Sequence, residues 1–162
     1  MIIGIDDTDS NDGMCTTYLG ALLLDELQAY GTLETLPLLI LLNPTIPYKT
    51  RGNAAVALKI RTDYPEKVTA HVVSRIEELA RMECEKTNPG VVFIPENDYD
   101  RLKPVLGNFF EKAVKDVIEI QEAKTLISEL GIPSKGFKNG RGLIGSLAAC
   151  GAMLTLEAWD HT

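Results

Sequence analysis

The sequence predicts an α+β fold in which a β-α-β-β-α-β unit forms a mixed sheet and further helices are appended at the C-terminal end. Short apolar runs bounded by turn residues alternate with longer segments whose apolar side chains recur at helical spacing. The chain has 162 residues, of which 45% are hydrophobic and 24% charged, and this suits an ordinary globular core. The order of elements is that of a ferredoxin-like sheet with two helices on one face.

Each element of this unit has its own signal. The apolar run at 2–6 predicts a buried strand, and Gly31 is a natural end for the helix that follows. Pro37 places the true start of the next strand just after itself, because proline cannot donate to a sheet ladder. Pro65 suits the first position of the second helix. The predicted elements are, in order, strand 2–6, helix 15–30, strand 34–43, strand 52–61, a helix from Pro65 and strand 91–95.

The last third of the chain is predicted to be mostly helical. Apolar residues at helical spacing mark segments around 102–110 and 123–130, and a third helix follows a glycine-rich turn. A strand is predicted near 153–158. We expect residues 1–162 to form a single catalytic domain, and the alternative is an α/β core at 1–96 with a helical part at 97–162.

Charge and cysteine content argue against several classes of protein. The net charge of −7 disfavours a surface that grips nucleic acid everywhere, although it does not exclude a local basic path. The cysteines at 15, 84 and 150 are scattered and support neither a zinc site nor a disulfide framework. No apolar run approaches the ~20 residues of a membrane span, and no secretory segment opens the chain. We therefore expect a cytoplasmic protein with no membrane partner.

Three carboxylates, Asp6, Asp7 and Asp9, follow the first strand within four residues. Such a cluster repels itself unless a cation lies between its members, and Mg²⁺ prefers carboxylate oxygens. Thr16 and Thr17 then open a helix, where backbone N–H groups suit an anion. A metal site beside an anion site favours phosphoryl transfer. The simpler interpretations are a solvated turn for the acids and N-caps for the threonines.

Cations in loop-like stretches could contact phosphates. One loop carries Lys49 and Arg51 and ends in Gly52-Asn53, and a second, KTNPG, begins with Lys86. Arginine supplies a planar fork for phosphate and lysine a point charge, whereas the alternative is ordinary charged loops. Further cations in this path are Lys135, Lys138 and Arg141.

The segment 140–145, GRGLIG, matches G-x-G-x-x-G but is weak evidence for a dinucleotide fold. No clear strand precedes it, and too little chain follows for an acidic partner to the ribose. Glycines that open a helix beside Arg141 can form an anion-binding end. Tight helix packing at Gly142 and Gly145 explains them equally well. The two histidines, His71 and His161, are expected to have structural or incidental roles.

Five motifs together carry a family resemblance: IGIDDTDS, GMCTTYL, NPTIPYKTRGN, EKTNPG and GRGLIG. In this order they resemble the N-terminal, kinase-like part of the archaeal tRNA 2-agmatinylcytidine synthetases, over essentially the whole chain. The resemblance implies attachment of agmatine to the wobble cytidine of isoleucine tRNA. In the family, ATP ends as AMP and pyrophosphate. The cytidine C2 oxygen is activated by phosphorylation, and the agmatine amine then displaces phosphate.

The resemblance also implies roles for individual residues. Thr16 matches the threonine that becomes phosphorylated, and Asp6 and Asp7 match catalytic acids. The magnesium ligands correspond to Asp6, Asp7 and Asp9. The residues expected to bind ATP are Thr8, Thr17, Lys49, Arg51, Asn53, Lys86, Arg141 and Gly142.

The chain lacks the further modules that grip tRNA in full-length family members, among them an OB-fold and a cysteine-rich zinc ribbon. We therefore expect it to bind ATP and Mg²⁺ but to agmatinylate tRNA poorly. Two other functions are considered. One is a non-catalytic module that binds nucleotide or RNA. The other is a HAD-type phosphatase with an aspartate nucleophile, which is disfavoured because no convincing later acidic pair follows.

Overall fold

The computed structural model describes residues 1–8, 15–41, 54–80, 82–85 and 87–159. Residues 157–159 are described by their backbone only. Within these ranges the chain forms one sheet, five α-helices and two short 3₁₀ turns. The strands are β1 (Ile2–Asp6), β2 (Gly31–Leu33), β3 (Leu38–Leu41), β4 (Ala54–Thr62), β5 (Gly90–Ile94) and β6 (Ser134–Gly136). The helices are α1 (Thr16–Glu26), α2 (Pro65–Leu79), α3 (Tyr99–Lys115), α4 (Ile120–Leu130) and α5 (Gly142–Trp159). The 3₁₀ turns are Leu27–Ala29 and Glu96–Asp98.

Strand β1 lies at the centre of the sheet, between β4 and β5. The strand order is β2-β4-β1-β5-β6, and β3 pairs with the N-terminal half of β4, beside β2. Every pairing among the described strands is antiparallel, so the prediction of a mixed sheet is wrong. Strands that run in the same direction, such as β1 and β3, are separated by a third strand. Parallel strands therefore never become neighbours.

Both faces of the sheet are buried at its central strand, β1. Ile3 and Ile5 of β1 pack with α1 and α2 in one apolar core, which we call the α1–α2 core. Ile2 belongs to a second core on the opposite face, with α3, α4 and α5, which we call the α5 core. Because both faces are covered, all five residues of β1 are buried, and the strand appears in the sequence as a continuous apolar run.

The elements predicted up to residue 95 are confirmed in type, with shifted boundaries. The second helix begins at Pro65 as expected. The segment predicted as strand 34–43 is strand only from Leu38, just after Pro37. Gly31 does not cap a helix, because α1 ends in a 3₁₀ turn and Gly31 is the first residue of β2.

The strand predicted near 153–158 is wrong, because these residues belong to helix α5. Residues 140–154 are buried without interruption, so α5 has no polar stripe and its sequence lacks the pattern of a surface helix. Strand β6 was missed for the opposite reason. Its three residues, Ser-Lys-Gly, are all exposed and contain no apolar alternation.

Helix α5 is held between the sheet and α3 at very short distances. A Cβ added to Gly4 of β1 would overlap the carbonyl oxygen of Ser146, and one added to Gly151 would overlap the carbonyl oxygen of Leu106 in α3. Cys150, on the same helix, is fully buried, and this burial raises the pKa of its thiol well above the usual range. The thiol therefore packs as a neutral apolar group. No helix in the described part of the chain is long and apolar enough to cross a membrane.

Candidate functional site

Asp6, the last residue of β1, is buried beneath the first turn of α5 and is only 2% exposed. A Cβ built on Gly145 would overlap the Asp6 carboxylate, so the absence of a side chain at this position makes room for the acid. A Cβ on Gly142 would likewise overlap the Asp6 carbonyl oxygen. The sequence therefore leaves room for the Asp6 side chain at the N-terminal end of α5.

Asp7 turns the chain away from β1 and buries its carboxylate against Arg141. Its φ of 60° lies in the left-handed region, which is uncommon for a residue other than glycine. Oδ2 of Asp7 accepts hydrogen bonds from Nη2 of Arg141 at 2.8 Å and from the backbone N–H of Asn88 at 3.2 Å. The Asp7 side chain is 1% exposed and that of Arg141 10%. This buried pair joins three segments that are distant in sequence.

Thr16 is the first residue of α1, and its hydroxyl oxygen is held by Thr8. The backbone N–H of Thr8 donates to Oγ1 of Thr16 at 3.2 Å, and the Thr8 hydroxyl donates to the same atom at 2.9 Å. Both threonines are buried, whereas Thr17 is exposed and its Oγ1 lies 3.2 Å from Sγ of Cys15. The N-cap interpretation of the threonines is wrong, because Cys15 occupies the cap position and makes no side-chain cap bond.

The first turn of α5 is fastened to the loop before β5. The N–H of Gly142 donates to the carbonyl oxygen of Asn88 at 2.9 Å. The hydroxyl of Ser146 lies 2.6 Å from the carbonyl oxygen of Gly90 and 2.8 Å from that of Gly142. Together with the Asp7–Arg141 pair, these contacts fix the helix start beside the end of β1.

Comparison with known proteins finds close relatives of this chain. Residues 2–67 match the family model described as the TiaS TCKD domain. The whole chain is 80% identical to the tRNA(Ile2) 2-agmatinylcytidine synthetase TiaS of Methanosarcina acetivorans. Over its whole length the chain is similar to one part of the TiaS proteins. It spans 38% of the length of that relative.

Solved structures of TiaS proteins have the same fold. The crystal structure of a TiaS–tRNA(Ile2)–ATP complex superposes with a TM-score of 0.84 at 48% identity, over 93% of this chain and 35% of the other. A TiaS–tRNA(Ile2)–AMPCPP–agmatine complex superposes with a TM-score of 0.82 at 45% identity, over the same shares of the two chains. The resemblance inferred from the five motifs is therefore confirmed.

The structure brings together part of the predicted TiaS site. Asp7 and Arg141 are in direct contact, as are Thr8 and Thr16, while Asp6 lies against the first turn of α5. Thr17 and Gly142 are described above, whereas five predicted ligands lie outside the described residues, and so does His161. The five ligands are Asp9, Lys49, Arg51, Asn53 and Lys86.

Two lysines of the predicted basic path are engaged with the protein itself. Nζ of Lys135 lies 3.3 Å from the carboxylate of Glu77. Nζ of Lys138 donates to the carbonyl oxygens of Met82 and Cys84, at 2.8 and 2.7 Å. Lys138 therefore connects the turn before α5 to the segment that precedes Asn88. Among the described residues of the basic path, Arg141 contacts Asp7.

The donor set for magnesium is incomplete within the described residues. No group of three or more His, Cys, Asp or Glu side chains is arranged there to hold a metal ion. Asp6 and Asp7 supply the right chemistry, but Asp7 is bound to Arg141, which lowers the local negative charge.

Asn88 and Ser146 hold the site in shape and were not predicted to do so, whereas the predicted tight packing at Gly145 is confirmed. Asn88 acts through its backbone N–H and carbonyl groups, and Ser146 through its hydroxyl. Gly145 acts through the absence of a side chain. The motifs TNPG and GRGLIG contain or adjoin all three, but a motif does not reveal which backbone groups face the acids.

Proposed function

We propose that this chain is the ATP-binding, phosphoryl-transferring part of an enzyme that conjugates agmatine to the wobble cytidine of isoleucine tRNA. The observation that carries the proposal is the position of the Thr16 hydroxyl. It is buried at the start of α1 and held by Thr8, the second residue after Asp6. A hydroxyl oxygen that accepts two hydrogen bonds is fixed in orientation. Fixed orientation of the reacting groups is a main source of the rate enhancement in phosphoryl transfer.

In this proposal Thr16 accepts a phosphoryl group from ATP. The bond between the transferred phosphorus and the bridging oxygen of ATP breaks as the bond to the Thr16 oxygen forms. The rest of the nucleotide leaves with that bridging oxygen, and a carboxylate takes the hydroxyl proton. Asp6 is our choice for that base, because Asp7 is bound to Arg141 and Asn88. Thr8 orients the acceptor oxygen by its N–H and its hydroxyl.

We assign ATP contacts to Arg141, Gly142, Thr17 and Thr8, together with the residues outside the described ranges that the family resemblance names: Lys49, Arg51, Asn53 and Lys86. Arg141 can attract a phosphate while it remains bound to Asp7, because its planar guanidinium presents several N–H donors. One of these, on Nη2, donates to Asp7 at 2.8 Å. Asp6, Asp7 and Asp9 would hold Mg²⁺, which would neutralise charge on the phosphates.

Phosphorylation of the cytidine C2 oxygen explains why such a chain is needed. An amide-like oxygen is a very poor leaving group. Once it carries a phosphoryl group, the C2–O bond breaks with release of phosphate, the agmatine nitrogen bonds to C2, and that nitrogen loses a proton. Cationic groups at the site stabilise the charge that develops on the departing phosphate.

We further propose that residues 1–162 form one domain with a ferredoxin-like arrangement of β1, β3, β4 and β5. The strand order β3-β4-β1-β5, with helices on the two crossovers, supports this topology. Recognition of tRNA by C-terminal modules belongs to the part of the relatives that this chain does not match. A tRNA-modifying role fits a cytoplasmic location.

A matched pair of variants tests the proposal. Thr16→Val removes a buried hydroxyl at the start of α1, and the control Thr125→Val removes an exposed hydroxyl of α4. After incubation with ATP and Mg²⁺, intact-mass analysis should find an acid-stable phosphoryl group on the wild type and on Thr125→Val, and none on Thr16→Val.

Other outcomes would identify the rival functions. ATP binding by calorimetry without any phosphoryl transfer would indicate a nucleotide-binding module. An acid-labile phosphoryl group on an aspartate would indicate a phosphatase-type mechanism. Absence of ATP binding by the wild type would overturn the proposal as a whole.

A further inference from the structure

We infer that Gly145 is a positioning residue for the proposed reaction, because a side chain there would occupy the space of the Asp6 carboxylate. This inference rests on the proposed function, in which Asp6 takes the proton of Thr16. It assigns to the third glycine of GRGLIG a role distinct from phosphate binding.

The contact between Gly145 and Asp6 is side chain against helix backbone. A Cβ on Gly145 would fall on Oδ2 of Asp6, with the carboxylate carbon at 2.6 Å and the Asp6 Cβ at 2.9 Å. Real Cβ atoms do not approach heavy atoms below about 3 Å, so one of the two residues must move when a methyl group is added. All three of these nearest atoms belong to the Asp6 side chain.

The helix is the partner that cannot yield. Gly142, three residues earlier, is bound to Asn88, and Ser146, one residue later, lies 2.6 Å from the carbonyl oxygen of Gly90. The backbone of α5 at Ser146 also lies so close to β1 that a Cβ built on Gly4 would overlap the Ser146 carbonyl oxygen. Moving α5 outward would break these contacts, whereas rotation about the Asp6 side-chain bonds would remove the two carboxylate overlaps and leave only the Cβ contact at 2.9 Å. An added methyl group therefore displaces the acid.

Displacement of a general base should reduce the rate of phosphoryl transfer more than the affinity for ATP. A shift of about 1 Å from the productive geometry can cost on the order of 100-fold in rate. We expect Gly145→Ala to show a loss of this order in single-turnover phosphorylation of Thr16. The calorimetric Kd for ATP measured without Mg²⁺ should stay close to that of the wild type, since the variant leaves the cationic groups in place.

Gly107→Ala is the matched control. Gly107 also lies inside a helix, α3, and the Cβ added there would meet only the Thr155 hydroxyl of α5, at 3.1 Å. Both variants raise helix propensity equally. Phosphorylation by Gly107→Ala should therefore proceed at the wild-type rate.

A double-variant cycle separates the positioning role from a general packing effect. Asp6→Ala removes two of the three close atoms, so Gly145→Ala should lower the Tm markedly in the wild type and much less in the Asp6→Ala background. If Gly145→Ala does not fold, this cycle still decides. A folded double variant supports the inference, and an equally unfolded one overturns it.

The kinetic outcomes are equally distinct. Wild-type phosphorylation rates in Gly145→Ala would overturn the inference while leaving the proposed function intact. Equal losses in rate and in ATP affinity would also overturn it, because they would indicate a disturbed nucleotide site. Absence of phosphorylation in the wild type would be a failure of the proposed function instead.

Discussion

An ion pair between a carboxylate and an arginine lies beside each of the two apolar cores. Asp7–Arg141 lies beside the α5 core and Glu26–Arg75 beside the α1–α2 core, and the two pairs differ in burial. Beside the α5 core, Asp7 and Arg141 are 1% and 10% exposed and lie 134 residues apart in sequence. On the other face, Glu26 of α1 and Arg75 of α2 are 27% and 24% exposed. The Asp7 oxygen also accepts a backbone N–H, whereas the Glu26 oxygen that binds Arg75 lies 2.6 Å from the His71 ring.

The difference shows that the same two functional groups serve two purposes. Water screens the Glu26–Arg75 pair, so it contributes little beyond orienting α1 against α2. The Asp7–Arg141 pair is buried away from water, so each charged group is stabilised mainly by its partner. A buried pair at the end of a central strand fixes the backbone around it, including the left-handed conformation of Asp7.

Removing one partner of the buried pair should have the largest effect. We expect Arg141→Met to lower the free energy of unfolding by about 3–5 kcal/mol, because the Asp7 charge stays buried without its guanidinium. The matched control, Arg75→Met, should cost at most about 1 kcal/mol. Urea unfolding of both variants measures the contrast. Equal losses would mean that burial does not distinguish the two pairs.

An intermediate effect is expected where α5 is fastened to β5. Ser146→Ala removes a buried hydroxyl 2.6 Å from the carbonyl oxygen of Gly90, which should cost about 1–3 kcal/mol. Ser74→Ala, which removes an exposed bond to Glu78, should change the stability by less than about 0.5 kcal/mol. A loss at Ser146 as small as that at Ser74 would show that this bond does not hold the helix start.

The smallest effect, and the one that depends on pH, concerns Glu26. The hydrogen bond from His71, aided by Arg75, lowers the pKa of Glu26 below its usual 4.5. The stabilisation is therefore present above about pH 4.5 and is lost as the pH falls through the lowered value. Glu26→Gln should lower the Tm by a few degrees at pH 7, and this difference should shrink in acid. A difference that grew below pH 4.5 would contradict the assignment.

The sequence was sufficient for the elements whose burial differs between their faces. The helix from Pro65 has a clear apolar stripe at Val68, Val72 and Ile76, and its start and type were predicted correctly. Helix α5 is buried along most of its length, so its sequence contains no stripe and its last turns were taken for a strand. A helix is predicted from the contrast between its apolar and polar faces. Helix α5 shows little such contrast, because it is buried on all sides over residues 142–154.

The sequence named residues that the structure brings together, but it did not predict their contacts. The motifs predict Asp7 as a metal ligand and Arg141 as a nucleotide contact, and they do not reveal that the two side chains bind each other. The contribution of Asn88 comes from main-chain groups, which residue identity does not encode. That of Gly145 is an absence, visible only once Asp6 is seen against α5.

A crystal structure of this chain with a non-hydrolysable ATP analogue and Mg²⁺ tests the central claim most directly. We expect the terminal phosphate to lie within direct contact of the Thr16 hydroxyl, with the Asp6 carboxylate beside that hydroxyl and Arg141 still bound to Asp7. A nucleotide bound elsewhere, with Thr16 sealed beneath Thr8 and remote from every phosphate, would contradict the proposed phosphoryl transfer.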